Sequence, residues 1–266
     1  MFTVHTLASS SAGNALLISH SGRYYLLDAG ISCRRLTAGL TALGCTPGDL
    51  SGIFITHTHT DHVAGLAVLS KKTQCPIYAT ERTCLELAFQ GHVAARYLEA
   101  LAPCRPTAVD SLLVTAVPAS HDAPGTCGYR LDTDDGSAGF LTDTGFVTEE
   151  AGDIFPGVDF MLLEANHDLT MLENGPYPYS LRRRVAGREG HLSNEDSARF
   201  ALTLAEAGAR QFLLAHLSRD NNTPALALET VNQALHDAGV SANTAVAPRD
   251  TTSETYFVTG RSVCRK

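Results

Sequence analysis

The densest group of chemically active side chains in this sequence lies between His57 and His62, in the segment HTHTDH. Each imidazole has two ring nitrogens that need partners, so packing alone does not explain three histidines in six residues. Imidazole and carboxylate groups are the usual protein ligands of zinc and similar divalent ions. In an extended segment His57 and His59 point to the same side, and Asp61 and His62 can reach a second ion. The segment therefore predicts a metal site, and a solvated histidine-rich loop is the alternative.

Other residues of metal-binding type follow predicted strands, where loops commonly present functional groups. Taken alone, each of them is compatible with an ordinary hydrogen-bonding residue at a strand end. Together with the histidine segment, they provide enough ligands for two ions. These residues are Asp28, His121, Asp143 and His216.

Apolar runs and turn residues predict the elements that position these side chains. Strands dominate residues 2–56, helices are predicted over 66–72 and 82–90, and strands return over 109–165. Helices are then predicted over 180–185, from Ser193 to about 207 with Asp196 at capping-box spacing, and over 224–238, with strands between and after them. This order indicates two half-domains, each a sheet with helices on its outer face. No linker interrupts the pattern, so one domain over residues 1–266 is expected.

Composition narrows the class of protein. The chain has 266 residues and 44% hydrophobic residues, but no apolar stretch approaches the roughly 18–20 residues of a membrane span. Its N-terminus lacks the features of a signal peptide. Seven dispersed cysteines form no CxxC pair, which favours a reducing cytoplasm. A net charge of −8 argues against nonspecific coating of nucleic acid, although a local grip on a strand remains compatible with it.

The order of the candidate ligands along the whole chain resembles that of the metallo-β-lactamase superfamily. This resemblance implies an α/β fold, a four-layer αββα sandwich, with a dinuclear metal site in the cleft between two sheets. It also implies that Asp28 hydrogen-bonds to the histidine segment and fixes it. The implied ligands are His57, His59 and His121 for one ion, Asp61, His62 and His216 for the other, and Asp143 as a bridge between them.

Three features indicate a branch of that superfamily. An aspartate rather than a cysteine at position 143, and the complete Asp61–His62 pair, fit its phosphodiesterases better than its antibiotic-hydrolysing members. Segments that begin at Ser10, Ser120, Glu164, Gly190 and His216 resemble the YycJ/WalJ group, described as bacterial exonuclease-like proteins related to RNase J and RNase Z. Residues 144–215 are too few to hold the large β-CASP insertion of RNase J.

The resemblance therefore implies a phosphodiester hydrolase that uses water activated by two divalent ions, zinc or manganese. A 5′-to-3′ exonuclease acting on DNA is the expected activity, with Asp61 orienting the attacking water. His191, with Glu164 upstream, resembles the general acid of RNase Z-like enzymes, and a carboxylate partner raises an imidazole pKa as that role requires. Alternatively, His191 only precedes a helix start. His167 is a weaker candidate for the general acid, and a residue that supports the site or lies on the surface is the alternative.

Arginines near the end of the 180–185 helix are candidate phosphate contacts, and tyrosines just upstream could stack on bases. A solvated helix face is the alternative. A small-molecule hydrolase acting on a cyclic phosphodiester, thioester or lactone is the second functional hypothesis. An open basic groove at residues 174–190 would favour a polymer, and a closed apolar pocket a small ligand. The candidate substrate contacts are Arg182, Arg183, Arg184, Arg188, Ser218 and Asn221, with Tyr177 and Tyr179 as stacking residues.

Overall fold

A computed structural model describes residues 1–260 of the chain. Within this range the structure contains fourteen strands, nine α-helices and two short 3₁₀ segments, Pro47–Asp49 and Ala95–Tyr97. The strands are β1 Phe2–Ala8, β2 Ala15–His20, β3 Arg23–Leu27, β4 Leu50–Phe54, β5 Ile77–Thr80, β6 Leu98–Leu101, β7 Thr107–Val109, β8 Leu112–Pro118, β9 Cys127–Asp132, β10 Ser137–Leu141, β11 Phe160–Glu164, β12 Gln211–Ala215, β13 Asn243–Val246 and β14 Tyr256–Val258. The helices are α1 Cys33–Ala42, α2 Thr60–Val63, α3 Leu66–Thr73, α4 Glu81–Phe89, α5 Glu149–Ile154, α6 Leu169–Asn174, α7 Tyr179–Val185, α8 Asn194–Glu206 and α9 Pro224–Asp237.

The strands form two seven-stranded mixed sheets of matching design. The first has the order β14-β1-β2-β3-β4-β5-β6 and the second β13-β12-β11-β10-β9-β8-β7. In the first sheet the pairs from β3 to β6 are parallel and the others antiparallel. In the second sheet the pairs from β10 to β13 are parallel and the others antiparallel. Each sheet thus has a parallel half, whose strands end together at one edge.

Alternating side chains divide the core into three apolar layers. On β2, Leu16 and Ile18 face the second sheet, while Ala15 and Leu17 face the outer helices, as the period of two in a strand requires. The central layer includes the rings of Phe54 and Tyr129, with centroids 5.5 Å apart. Helices α1, α3 and α4 cover the outer face of the first sheet, and α5, α8 and α9 cover that of the second. This is the expected four-layer αββα sandwich.

Most predicted elements are present, with ends shifted by one or two residues. Ser193 caps α8, its hydroxyl accepting a hydrogen bond from the amide of Asp196 at 3.1 Å. The predicted strand 109–117 is instead the hairpin β7–β8, with Asp110 in a left-handed turn conformation. Helices α1, α5 and α6 are not among the predicted elements. Helices α5 and α6 have only six residues each, whereas α1 buries Cys33, Leu36 and Leu40 at a helical spacing that the sequence does contain. No helix of residues 1–260 is long and apolar enough to cross a bilayer.

Candidate metal centre

The candidate site lies where the parallel halves of the two sheets end. In open sheets, ligands commonly bind outside the carboxyl ends of parallel strands. Asp28 directly follows β3, the histidine segment follows β4, Glu164 ends β11, and His216 directly follows β12. The fold therefore brings together side chains that are up to 188 residues apart (28 to 216) in the sequence.

Three of these residues adopt a left-handed backbone conformation. Asp28, Asp143 and His216 have φ values of 58°, 56° and 57°. For a residue other than glycine this conformation costs about 1–3 kcal/mol and is concentrated at functional sites. Each of the three lies within two residues of the end of a strand, β3, β10 or β12, and its own side chain contacts other residues of the candidate site.

The histidine segment is held by close backbone contacts rather than by a long helix. The amide of Asn14 donates to the carbonyl of Asp61 at 2.8 Å, and the amide of Gly30 donates to the carbonyl of Asn14 at 2.8 Å. A Cβ atom at Gly30 would lie 1.6 Å from the Asp61 carbonyl oxygen, so only glycine fits there. His59 then precedes α2, which carries Asp61 and His62.

Three histidines converge as the first group of potential ligands. Nδ1 of His59 lies 3.2 Å from Nε2 of His121, and the ring centroid of His57 lies 4.7 Å and 5.2 Å from those of His59 and His121. One nitrogen from each ring lies within 4.8 Å of the other two. The group can hold one ion, as predicted from the family resemblance.

A second group lies beside it. Oδ2 of Asp61 lies 3.5 Å from Nε2 of His62 and 3.5 Å from Nε2 of His216. Asp143 lies between the two groups: its Oδ2 is 3.2 Å from Nε2 of His62, and its Oδ1 is 3.8 Å from Nε2 of His121. The seven expected ligands therefore lie together, in two groups that share one carboxylate.

In each of the five candidate ligand histidines, the ring nitrogen that does not face the other ligands has a partner of its own. Such contacts set the tautomer and the orientation of metal-binding imidazoles. They leave one nitrogen of each ring directed into the cleft. The pairs are His57 Nδ1 with Thr56 Oγ1 at 3.0 Å, His59 Nε2 with Asp122 Oδ1 at 3.4 Å, His62 Nδ1 with Asp28 Oδ2 at 2.7 Å, His121 Nδ1 with the Gly190 carbonyl at 3.0 Å, and His216 Nδ1 with Glu164 Oε1 at 2.9 Å.

The chemistry of these donors fits divalent ions. Nε2 of His57 is buried without a hydrogen-bond partner, which is costly for a polar atom unless something binds it. Oδ2 of Asp143 and Nε2 of His216 are also buried, and they contact only other candidate ligands. Burial and the neighbouring histidines lower the pKa of His57 well below its usual value, so it is neutral, as a ligand must be. Burial opposes ionisation of Asp143, but the surrounding histidines hold its pKa well below the usual range.

Glu164 contacts two histidines of the site through one oxygen. Its Oε1 lies 2.8 Å from Nδ1 of His191 and 2.9 Å from Nδ1 of His216, while its Oε2 accepts hydrogen bonds from the amides of Thr144 and Leu192. Burial raises the pKa of Glu164, but the two histidines outweigh it and lower that pKa to about 2. The predicted Glu164–His191 pair is thus formed, and Glu164 has a second partner that the sequence did not indicate.

The basic segment is divided between two environments. Arg183, Arg184 and Arg188 line a cavity beside the candidate ligands, whereas Arg182 donates to the carbonyl of Glu173 on α6. Arg184 pairs with Asp122 at 2.6 Å. Three of the four arginines therefore line the cavity beside the candidate ligands.

Two predicted substrate contacts have a different environment. Ser218 and Asn221 are 4% and 0% exposed, and the side-chain amide of Asn221 donates to the Ser218 hydroxyl at 3.3 Å. This geometry makes them supports of the loop that carries His216 rather than groups that reach a substrate. Of the two tyrosines, Tyr179 is exposed, and the hydroxyl of Tyr177 donates to Asp220.

The structure also adds residues to which the sequence assigned no role. The side-chain amide of Asn14 lies 3.0 Å from Nε2 of His62, the Thr56 hydroxyl donates to Asp28 at 2.9 Å, and Asp122 contacts His59. Asn14 and Asp122 belong to segments that resemble the YycJ/WalJ group. The sequence signal that could identify Asn14 and Asp122 is their position beside predicted loops and candidate ligands.

Comparison with known proteins places this geometry in a family. Residues 23–217 match the β-lactamase superfamily domain. The chain is 33% identical over 257 residues to the exodeoxyribonuclease WalJ of Streptococcus pneumoniae, covering 96% of both chains, and 32% identical over 246 residues to the exodeoxyribonuclease YycJ of Bacillus anthracis, covering 92% of this chain and 93% of that protein. The metallo-β-lactamase-fold protein YhfI of Bacillus subtilis superposes with a TM-score of 0.72 at 18% identity, covering 96% of this chain and 100% of YhfI. With its fold, its clustered histidines and aspartates and these relatives, the chain belongs to the metallo-β-lactamase superfamily of hydrolases and is similar to its WalJ/YycJ members.

Proposed function

We propose that this protein is a metal-dependent phosphodiesterase that degrades DNA as a 5′-to-3′ exonuclease. The observation that carries the proposal is the pair of three-residue ligand groups with the carboxylate of Asp143 between them. This arrangement supports two divalent ions, for which zinc and manganese are the proposed identities because imidazole and carboxylate ligands suit both.

The proposed residue roles follow from position. His57, His59 and His121 would hold one ion, Asp61, His62 and His216 the other, and Asp143 both. Bound there, two divalent ions lower the pKa of water and neutralise the charge that develops on a phosphodiester. Asp61 is 22% exposed, and its carboxylate would accept a hydrogen bond from the attacking water. Asp28 and Thr56 would keep His62 and His57 in fixed orientations.

The leaving oxygen of a phosphodiester needs a proton, and His191 is placed to supply it. Its Nδ1 contacts Glu164 at 2.8 Å, and the hydrogen bonds found within residues 1–260 leave its Nε2 without a partner. The ring lies 5.1 Å and 5.2 Å from those of His121 and His216. Because Glu164 fixes the imidazole, Nε2 can protonate a leaving group above the metal centre.

The surface beside the centre favours a polymer over a small molecule. The cavity there is lined by arginines and polar groups, and the side chains of Arg183 and Arg188 are exposed. Exposed guanidinium groups suit phosphates of a strand, whereas a small ester or lactone would favour a closed apolar pocket. The names of the similar S. pneumoniae and B. anthracis proteins support DNA and an exonuclease activity.

We further propose that residues 1–266 form one domain and that the protein acts in the cytoplasm, where its DNA substrate would lie. The six cysteines at positions up to 127 are unpaired, which agrees with a reducing compartment. Residues 261–266, including Cys264, lie outside the described part of the chain.

The test is digestion of 5′- and 3′-end-labelled DNA and RNA, single- and double-stranded, with zinc, manganese or a chelator. We expect stepwise loss of nucleotides from the 5′ end of DNA with metal, and none with chelator. The purified protein should contain about two metal ions per chain. Metal content near zero, or digestion that survives chelation, would refute the dinuclear phosphodiesterase, and a preference for RNA or for 3′ ends would refute the stated specificity.

A further inference from the structure

A cavity of about 540 Å³ opens directly beside the candidate metal centre. Ser120 and Asp122, the neighbours of the candidate ligand His121, both line it. Oδ1 of Asp122 lies 3.4 Å from Nε2 of His59 and 3.5 Å from Nε2 of His121. The cavity therefore borders the candidate metal centre, since the residues on both sides of His121 in the sequence line it. Its volume lies within the range of small-molecule sites, about 300–1,000 Å³.

The cavity is basic although the chain as a whole is acidic. Three arginines face it, together with Asp122 and Glu189, in a chain of net charge −8. Asp122 is already paired with Arg184 through contacts of 2.7 Å and 2.6 Å. In the described part of the chain, the guanidinium groups of Arg183 and Arg188 have neither a hydrogen-bond acceptor nor an ion-pair partner. These free donors are suited to a phosphate group.

An aromatic ring gives the cavity a flat apolar wall. The guanidinium carbon of Arg188 lies 4.2 Å from the ring centroid of Phe146. Nucleobases stack on aromatic rings and on guanidinium planes, at about 1–3 kcal/mol per base. A phosphate-binding group and a stacking surface therefore occur side by side.

Hydrogen bonds to backbone carbonyl groups connect the segments that form the walls of the cavity. The Ser120 hydroxyl donates to the carbonyl of Arg188 at 2.8 Å, and the amide of Gly145 donates to the carbonyl of Ser120 at 2.8 Å. A Cβ atom at Gly145 would lie 2.2 Å from the Arg188 carbonyl oxygen, so this close approach requires glycine. The positions of Phe146 and Arg188 are thus fixed relative to His121, as a specific binding site requires.

We propose that this cavity is a subsite for one nucleotide, the unit next to the bond that is cut. Arg183 and the N–H groups at the edge of the Arg188 guanidinium bind its phosphate. The face of that guanidinium away from Phe146 stacks on its base, with Phe146 supporting the other face, and Asp122 orients Arg184 at the side of the metal centre. The proposal rests on the proposed function, because it assigns the place of one unit of the DNA substrate. It adds Phe146, Ser120 and Asp122 to the residues that determine specificity.

The experiment is calorimetric titration of the metal-loaded protein with thymidine 5′-monophosphate, thymidine or inorganic phosphate. We expect the nucleotide to bind more tightly than either fragment. Arg188→Ala should weaken nucleotide binding by about tenfold or more. Phe146→Leu, which keeps apolar bulk and removes the ring, should weaken nucleotide binding while leaving phosphate binding unchanged. The matched control is Arg96→Ala, which removes a similar arginine–aromatic contact, 4.7 Å over Tyr97, at a different surface, and it should bind the nucleotide as the unmodified protein does.

Equal nucleotide affinity in Arg188→Ala, Phe146→Leu and the unmodified protein would overturn the subsite, as would phosphate alone binding as tightly as the nucleotide. Hydrolysis of bis(p-nitrophenyl) phosphate by the unmodified protein, which needs no nucleotide subsite, separates this result from the proposed function. If that hydrolysis is absent but nucleotide binding depends on Arg188 and Phe146, the subsite is supported and the phosphodiesterase is not. If hydrolysis depends on metal but nucleotide binding is the same with and without Arg188 and Phe146, the phosphodiesterase is supported and the subsite is not.

Discussion

Oε1 of Glu164 lies 2.9 Å from Nδ1 of His216, so the last candidate metal ligand of the chain is held by the carboxylate that also holds His191. One fully buried oxygen therefore links the second group of ligands to the proposed proton donor. The charge of His191 and hydrogen bonds from His191 and His216 outweigh burial and lower the pKa of Glu164. Burial lowers the pKa of His216, but Asp143, Asp61 and Glu164 outweigh burial and raise it to about 10. Binding of a metal to Nε2 of His216 would take the place of that proton.

Glu164→Gln should therefore impair metal binding and catalysis together. The amide keeps the shape of the side chain and loses its charge, and outer partners of metal ligands typically contribute 10–100-fold to affinity. We expect a loss of about that size in metal affinity, measured by competition with a chelator, together with a lower kcat. Glu229→Gln on the outer helix α9 is the control. A normal metal affinity in Glu164→Gln would show that the His216 contact has no role in binding.

His191→Ala should impair catalysis without loss of metal, because His191 belongs to neither of the two ligand groups. A general acid contributes about 10²–10⁴-fold, mainly where the leaving group is poor. We expect a fall of that order for DNA cleavage and a much smaller fall for p-nitrophenyl phosphodiesters, whose leaving group needs no proton. His236→Ala, at an exposed site, should change neither. Equal losses on both substrates would remove His191 from this role.

Asp143→Asn should abolish hydrolysis and leave the fold intact. Asparagine tolerates the left-handed conformation found at this position but lacks the charge that two ions would share. The loss of activity should exceed the roughly 10–100-fold of an outer partner. Metal content by mass spectrometry and the circular dichroism spectrum would separate loss of ions from unfolding. Asp110→Asn, at another left-handed position, is the control, and full activity in Asp143→Asn would rule out the bridging role.

His167 should make stability depend on pH. It is 1% exposed, and burial, only partly offset by Glu164, lowers its pKa to about 4 from the ordinary value of 6.5. The folded protein thus favours neutral His167. The contribution of this preference to the free energy of unfolding is fully present above pH 6.5 and decreases as the pH falls toward 4. Linkage predicts a loss of about 2 kcal/mol between roughly pH 7 and pH 5.

This dependence is measured by denaturant unfolding of the unmodified protein and of His167→Gln at both pH values. The difference in unfolding free energy between the two pH values should be smaller in His167→Gln by about that amount. His236→Gln, which changes an exposed histidine, should leave the difference as it is. The same pH dependence in His167→Gln and in the unmodified protein would contradict the assignment.

Local chemistry predicted much of the site and of the fold. The segment from His57 to His62 indicates metal binding by residue type and spacing alone, since the packing of a core seldom needs so many imidazoles in six residues. Apolar alternation predicted most strands, and the strong helix start at Ser193 is present as predicted. The family resemblance correctly implied the superfamily and the four-layer sandwich.

The grouping of the other side chains depends on contacts that no short segment contains. Glu164 contacts His216 because β11 and β12 are parallel neighbours that end at the same edge, and pairing of strands is a long-range property. Ser218 and Asn221 are polar and follow His216, so the sequence suggested substrate contacts, yet the packed loop buries both. Asp122 and Phe146 acquire their positions only when the loops after β8 and β10 are joined by the hydrogen bond from the amide of Gly145 to the carbonyl of Ser120.

Short segments of the sequence establish which chemistry is available, because ligand type, local spacing and the alternation of apolar residues are local properties. The packing of the two sheets establishes which nitrogen of each histidine faces the cleft, which carboxylate serves two partners, and which arginines border the site. Those outcomes depend on the sharp left-handed turns at Asp28, Asp143 and His216. Only tertiary packing stabilises such turns enough to hold the side chains in place.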